Sequence, residues 1–174
     1  MRLNFKLRAF LYHLLVSCFA AFIALGLVFF FWYPTPLAQA VGVISIFLIL
    51  LCVDVVIGPL LTLVVAKEGK KSLKFDLTVI VSIQLVAFIY GMSVMAAGRP
   101  VWIVFAKDRF DLVQAHELEK THLDAADKQF QQKSWFGPKW AAARLPQDSG
   151  QLNDLTLEPL ADGGGLLQYR PDLY

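Results

Sequence analysis

Few residues of this chain have types and spacings that could support chemistry. His116, Glu117 and His122 are similar to a zinc-protease motif, but that motif needs two histidines one helical turn apart, and these two are six positions apart. Because six residues turn a helix through about 600°, the two imidazole rings would point to opposite faces. We therefore predict solvated surface histidines and no metal site.

Other catalytic signatures are missing from the sequence. There is no Gly-x-Ser-x-Gly motif, no phosphate loop and no Cys-x-x-Cys pair. The glycines at 163–165 are not flanked by a predicted strand and helix that would make them a phosphate cradle. Cys18 and Cys52 lie in apolar runs and are not placed to form a structural disulfide. The sequence predicts no catalytic residue and no cofactor.

The composition is that of a membrane protein. Of the 174 residues, 57% are apolar and 17% are charged, whereas soluble domains average about 45–50% and about 25%. Nearly all of the apolar excess precedes Gly98. Three stretches there, at about residues 10–33, 37–66 and 75–97, reach the roughly 20 apolar residues that a membrane helix needs.

Polar and small residues inside these apolar stretches form the candidate site. Insertion of an aspartate at the centre of a membrane helix costs at least about 2.5–3.5 kcal/mol of free energy. We therefore expect Asp54 to have a structural or functional role. We predict that Asp54 faces the interior of the bundle and bonds Gln84, which lies at a similar depth, or else Ser17 or His13. Small residues such as Ser17 and Gly91 predict faces where helices approach closely. A structural hydrogen bond, a contact for a guest helix and a proton or ion relay stay open as roles for Asp54.

Gly58 and Pro59 interrupt the second apolar stretch. Because Pro59 has no N–H, it should kink the helix there. Main-chain carbonyls near Val55 and Ile57 would then need a donor from a neighbour, such as Thr62.

The distribution of charge predicts the orientation of the helices. Three cations precede the first stretch, and four lysines lie in the loop at residues 67–74, whereas the proline loop at residues 34–36 has no charge. Since lysine and arginine in short loops are retained in the cytoplasm, we expect the N-terminus inside and everything after Gly98 in the periplasm of a bacterium with two membranes. The rival interpretation is a cleaved signal peptide over residues 1–40, because a basic start, an apolar run and the small residues at 38–40 resemble the three parts of such a peptide.

The part after Gly98 has the pattern of a small α+β domain. Val, Ile, Phe and Trp are enriched on either side of a polar turn, which predicts a β-hairpin, and helix formers and a short apolar run follow. The elements are predicted at residues 101–105, 110–114, 117–134 (helix) and 140–145. The predicted fold is therefore an α-helical membrane protein, with three transmembrane helices in residues 1–98 and a periplasmic α+β domain in residues 99–174.

Several runs of residues resemble a known family. The most specific is Cys52-Val-Asp-Val-Val-Ile-Gly-Pro-Leu-Leu-Thr-Leu63, followed by Leu73-Lys-Phe-Asp-Leu77, Arg99-Pro-Val101 and Asp108-Arg-Phe110. These runs are similar to the TfpX/TfpZ family of type IV pilin accessory proteins. The resemblance is strongest from Trp32 to about Val113.

The resemblance implies a non-enzymatic, chaperone-like protein of the bacterial inner membrane that stabilises or presents a type IV pilin. The expected partners are therefore a type IV pilin and the lipid bilayer. As a hypothesis, the spans would contact the transmembrane helix of the pilin, and the periplasmic domain would contact its head. Association with further copies of the chain is left open. The acidic balance of residues 99–174, with 9 cations and 11 acids, argues against nucleic acid as a partner. The alternative is a small membrane enzyme or transporter that uses Asp54.

Overall fold

A computed structural model describes residues 4–106, 109–144 and 167–174. The chain divides into two compact units. The helical unit comprises Met1–Phe30 with Pro34–Met95, and the C-terminal unit comprises Phe31–Tyr33 with Ala96–Tyr174. The predicted loop around 163–165 and the predicted strand end at Leu145 lie outside the described residues.

Within the part of the chain that the structure describes, three helices are long and apolar enough to cross a membrane, which confirms the prediction. At about 1.5 Å per residue, each exceeds the roughly 30 Å of a hydrocarbon core. We call them the first, second and third span, and they cover Phe5–Trp32, Val43–Val65 and Leu73–Ala97. The first span consists of α1 (Phe5–Gly26) and a π-helical segment (Leu27–Trp32).

The first connection is longer than the sequence predicted. A four-residue helix, α2 (Leu37–Ala40), follows the prolines, and Gly42 then adopts a left-handed conformation with φ +70°. Glycine has no Cβ and reaches this region without strain. The second span therefore begins at Val43 and not at Leu37. It consists of α3 (Val43–Leu51), a π-helical segment (Cys52–Ile57) and α4 (Gly58–Val65).

The second connection is the predicted lysine loop. Gly69 turns the chain with φ +77°, and the third span, α5, begins at Leu73. Ser72 precedes α5 and its hydroxyl donates to Asp76 Oδ2 at 3.0 Å. The Lys70 ammonium lies 2.7 Å from the same oxygen. These contacts fix the start of the third span, where a carboxylate also suits the positive end of the helix dipole.

The second span packs against both of the others. Phe29 of the first span meets Phe47 edge to face at 5.1 Å, and the His13 ring lies 2.6 Å from the Thr62 hydroxyl. On the other side, Gly91 of the third span lies against Leu50. Most outward side chains of the helical unit are large and apolar, as expected for a surface in contact with lipid.

The C-terminal unit contains a three-stranded sheet in the order β2-β1-β3. β1 (Pro100–Ala106) and β2 (Arg109–Gln114) form the predicted antiparallel hairpin, and β3 (Lys139–Ala142) pairs with β1 in parallel. The hairpin ladder is irregular between Pro100 and Trp102.

One face of this sheet carries a small core. Trp102 is 1% exposed and is the largest fully buried side chain. Its indole contacts the ring of Phe130 at 5.3 Å and that of Tyr174 at 6.0 Å. The other members of the core come from β1, β2 and the segment after β2, namely Val101, Val104, Val113, Ala115, Leu118 and Leu123.

The predicted helix over residues 117–134 is present only in part. A 3-10 turn covers Ala115–Glu117, and α6 covers Lys120–Ala125 and no more. Beyond α6, Lys133 turns back and its ammonium donates to the carbonyls of Ala115 and Leu118 at 2.6 and 3.1 Å. These buried carbonyls need donors, and satisfying them overrides the helix propensity of the segment.

Candidate functional site

A main-chain carbonyl in the second span is left without a donor from its own helix. At the end of the π-helical segment, the N–H of Gly58 bonds the carbonyl of Val53. The Asp54 carbonyl therefore loses the donor that an α-helix would supply, and the next residue, Pro59, has no N–H to offer. The Asp54 carbonyl must take a donor from another helix.

Gln84 of the third span supplies that donor. Its amide Nε2 donates to the Asp54 carbonyl at 3.1 Å, and the absence of a side chain at Gly58 creates the space, because a Cβ there would overlap the Gln84 amide. The sequence predicted freed carbonyls near Val55 and Ile57. The carbonyl that Gln84 satisfies is instead that of Asp54, because the π-helical segment shifts the hydrogen-bond register.

The Asp54 side chain does not make the predicted bond. Asp54 faces the interior and is 8% exposed, but Gln84 bonds its main chain and not its carboxylate. Among the described residues, none donates to Asp54 Oδ2, and Gln84 Oε1 also lacks a partner. Asp54 Oδ2 is thus a buried carboxyl oxygen of the second span with no hydrogen-bond partner among the described residues.

Asp54 and Gln84 both line an open apolar groove of about 440 Å³ in the helical unit. The first span forms one wall, the third span the other, and Asp54 and Thr62 of the second span form the floor. The wall residues recur every three or four positions, so each wall is one helical face. They are Ala9, Tyr12, His13, Val16, Ser17 and Ala20 on the first span, and Leu77, Val81, Gln84, Leu85 and Phe88 on the third.

The remaining site residues predicted from the sequence do not all line the groove. Ser17 is 8% exposed and lines the groove, whereas Gly91 lies against Leu50. Pro59 is fully buried. His13, proposed as a partner of Asp54, bonds Thr62 instead. Sequence reasoning missed the apolar wall residues, although their helical spacing was available as a signal.

The histidines of the C-terminal unit are not brought together as a metal site. His116 is exposed, with Nδ1 3.3 Å from the Ala97 carbonyl. His122 lies 3.8 Å from a Glu119 oxygen and 3.5 Å from an Asp172 oxygen. Over residues 4–106, 109–144 and 167–174, no group of three or more His, Cys, Asp or Glu side chains could hold a metal ion.

The contact at Gly58 gives a first prediction. Gly58→Ala should expel the Gln84 amide and leave the Asp54 carbonyl without a donor. The loss should destabilise the helical unit by about 1–3 kcal/mol, the cost of an unsatisfied buried acceptor. It should be measured as a lowered Tm of the detergent-solubilised protein.

Gly91→Ala is the matched control, because both substitutions raise helix propensity equally. A Cβ at position 91 would lie 2.8 Å from Leu50 Cδ1, the mobile end of a side chain that can rotate away. We expect a clearly smaller shift in Tm for Gly91→Ala. Equal shifts for the two variants would contradict the role of Gly58.

The fold and the groove together define the class of protein. It is an α-helical protein with three candidate membrane spans, a small α+β unit at its C-terminal end, and its buried polar site between the spans. The family profile described as fimbrial assembly protein FimB matches residues 1–42.

Three proteins of Dichelobacter nodosus show how far the similarity extends. The chain is 37% identical over 134 residues to the fimbrial assembly protein of serogroup I, which is 76% of this chain and 52% of that protein. It is 36% identical over 134 residues to the serogroup E1 protein, with the same coverage. It is 37% identical over 108 residues to the protein of serogroups C1 and C2, which is 61% of this chain and 82% of that protein.

The chain belongs to the family of fimbrial assembly proteins, which confirms its resemblance to type IV pilin accessory proteins. It spans about half the length of the serogroup I and E1 relatives. No solved structure matches it.

Proposed function

We propose that this chain is a non-enzymatic, chaperone-like accessory protein of the bacterial inner membrane that stabilises or presents a type IV pilin for pilus assembly. Its family, the fimbrial assembly proteins, supports the role in assembly. The observation that carries the proposal is the buried, unpartnered carboxylate oxygen of Asp54 at an open apolar groove. An acceptor left bare in a membrane is costly, and a guest that brings a donor removes that cost.

The groove is suited to one face of a transmembrane helix. Spans joined by short reversals alternate in direction, so the first and third spans run the same way and offer parallel walls. The wall residues extend from 9 to 20 and from 77 to 88, which is about 16 Å at 1.5 Å per residue, or half of a bilayer core. Small residues such as Ser17 and Ala20 allow a close approach. The guest helix should carry a hydrogen-bond donor at the depth of Asp54.

The orientation of the chain is part of the proposal. The lysine loop at residues 67–74 would lie in the cytoplasm and the C-terminal unit in the periplasm. A pilin has one helix in the membrane and a globular head outside it, so an accessory protein with the same division could contact both parts. Gly58, Pro59 and Gly91 would then hold the spans in place, while Ser17, Asp54 and Gln84 would meet the guest.

A small membrane enzyme or a transporter is the alternative, and it needs several ionisable groups at one depth. Of the other ionisable groups of the helical unit, His13 lines the same groove but bonds Thr62, and Asp76 pairs with Lys70 at the start of the third span. Asp54 would have to act without a second carboxylate beside it.

Photo-crosslinking in cells that express the cognate pilin tests the proposal. A photoreactive amino acid replaces Val81, a groove residue that is 50% exposed, or Val86, a residue of the same span that is 68% exposed and lies outside the groove. We expect a crosslink to pilin, identified by mass, from position 81 and not from position 86. Pilin should also be recovered in a pull-down from detergent-solubilised membranes.

Other outcomes would reject the proposal. Adducts at position 81 that contain only lipid would show that the groove holds acyl chains. Equal crosslinking from both positions would show that contact with pilin is not specific to the groove. Absence of pilin together with substrate-dependent flux or turnover would favour the transporter or enzyme.

A further inference from the structure

Two large aromatic side chains project from a loop of the C-terminal unit. Trp135 is 57% exposed and Phe136 is 74% exposed, although Ser134 just before them is buried. Large apolar side chains that are exposed in this way normally lie at an interface and not in water. They belong to a loop, residues 134–136, that we call the aromatic loop.

The aromatic loop touches the end of the first span. The rings of Phe136 and Phe31 meet edge to face at 5.7 Å, and those of Trp135 and Trp32 lie 6.3 Å apart. Phe31 and Trp32 are the last two residues of the first span, and both belong to the C-terminal unit. The loop is therefore at the level where that span ends.

Arg99 holds the loop to the end of the third span. It follows Ala97, the last residue of that span, by two positions, and it is 7% exposed. Its guanidinium lies 4.0 Å from the centre of the Trp135 ring, Nε donates to the Ser134 carbonyl at 3.0 Å, and Nη1 donates to the Ala96 carbonyl. Burial lowers the pKa of Arg99, and the neighbouring Tyr33 opposes that shift. The contact of a guanidinium with a tryptophan face is attractive when it is shielded from water.

We infer that the aromatic loop is a membrane-binding element, with Trp135 and Phe136 inserted into the boundary between lipid headgroups and acyl chains. The last residues of the first span contact this loop, and Arg99 joins the loop to Ala96 of the third span, so the loop lies beside residues expected at the membrane boundary. Tryptophan is enriched at that boundary because its ring is apolar and its N–H is polar. The inference does not depend on the proposed role in pilus assembly.

A fluorescent label at position 136 tests the inference without any pilin. Cys18 and Cys52 are the two cysteines of the chain; both are replaced by alanine, and Phe136→Cys is labelled with a polarity-sensitive dye in phosphatidylcholine vesicles. Lys128→Cys, at an exposed polar position of the same unit, is the matched control. Neither position lies in the core, so both variants should fold.

We expect the dye at position 136 to be quenched by lipids with a nitroxide near the headgroup at least about twofold more than the dye at position 128, as for groups at the interface. Soluble iodide should show the opposite preference. Equal quenching of both dyes by iodide, without quenching by lipid, would overturn the inference. Protection of position 136 from both quenchers would also overturn it, because the side chain would then be covered by protein.

Discussion

Replacement of Asp54 by leucine is expected to lower the recovery of pilin about tenfold, while the accessory protein itself accumulates at its normal level or above. The first effect follows if the carboxylate binds a donor on the guest helix, because a loss of about 1.4 kcal/mol of binding free energy lowers the affinity tenfold. The second follows because Oδ2 has no partner among the described residues, so leucine removes a cost of at least about 2.5–3.5 kcal/mol on insertion. Both quantities should be measured by immunoblot of the same pull-down.

Asp54→Asn is the matched control, because it keeps an acceptor oxygen of the same size without the charge. Retained pilin would indicate a neutral donor on the guest, and loss of pilin as large as with leucine would indicate a cation. If the leucine variant kept normal pilin levels, the proposed role of Asp54 would be wrong. If the leucine variant itself disappeared from the membrane, Asp54 would be a structural residue.

Replacement of Trp102 by alanine is expected to unfold the C-terminal unit. Trp102 is the largest fully buried side chain and contacts Phe130 and Tyr174. Truncating a buried tryptophan costs about 3–5 kcal/mol, which is a large part of the stability of a small domain. Limited proteolysis of the purified protein should show rapid cleavage after Gly98, while the helical unit remains intact. If the C-terminal unit meets the pilin head, recovery of pilin should fall as well.

Trp140→Ala is the control for this prediction. It removes the same side chain from the same sheet, but Trp140 is 67% exposed, and surface substitutions usually change stability by no more than about 0.5 kcal/mol. Resistance of both variants to protease would contradict the assignment of Trp102 to the core. Equal sensitivity would show that the exposed face of the sheet is also packed.

The elements with strong local signals were predicted from the sequence. The three spans follow from uninterrupted apolar runs, and the hairpin follows from β-branched and aromatic residues around a turn. Gln84 was one of three partners considered for the Asp54 side chain, with Ser17 and His13, because counting residues from the lysine loop estimates depth in a regular helix; the bond that the structure shows goes to the Asp54 main chain. Depth alone does not determine which atom of Asp54 receives the bond.

The rest depends on contacts between distant residues. The π-helical segment before Gly58 changes which carbonyl is left free, and a shift of one hydrogen-bond register leaves no periodic trace in the sequence. The segment after Ala125 has good helix propensity, yet Lys133 must reach two buried carbonyls and Phe130 must reach Trp102. Propensity is a weak predictor where such packing competes with it.

The parallel pairing of β1 with β3 has a consequence for the order in which the newly made chain matures. The hairpin of β1 and β2 is local, but β3 joins only after residues 107–138 have emerged, and Tyr174 can contact Trp102 only later still. The end of the first span meets its partners at residues 135 and 136 about a hundred residues after its own synthesis. Until then Phe31 and Trp32 lack their contacts with Phe136 and Trp135, so this end of the first span is completed late in the synthesis of the chain.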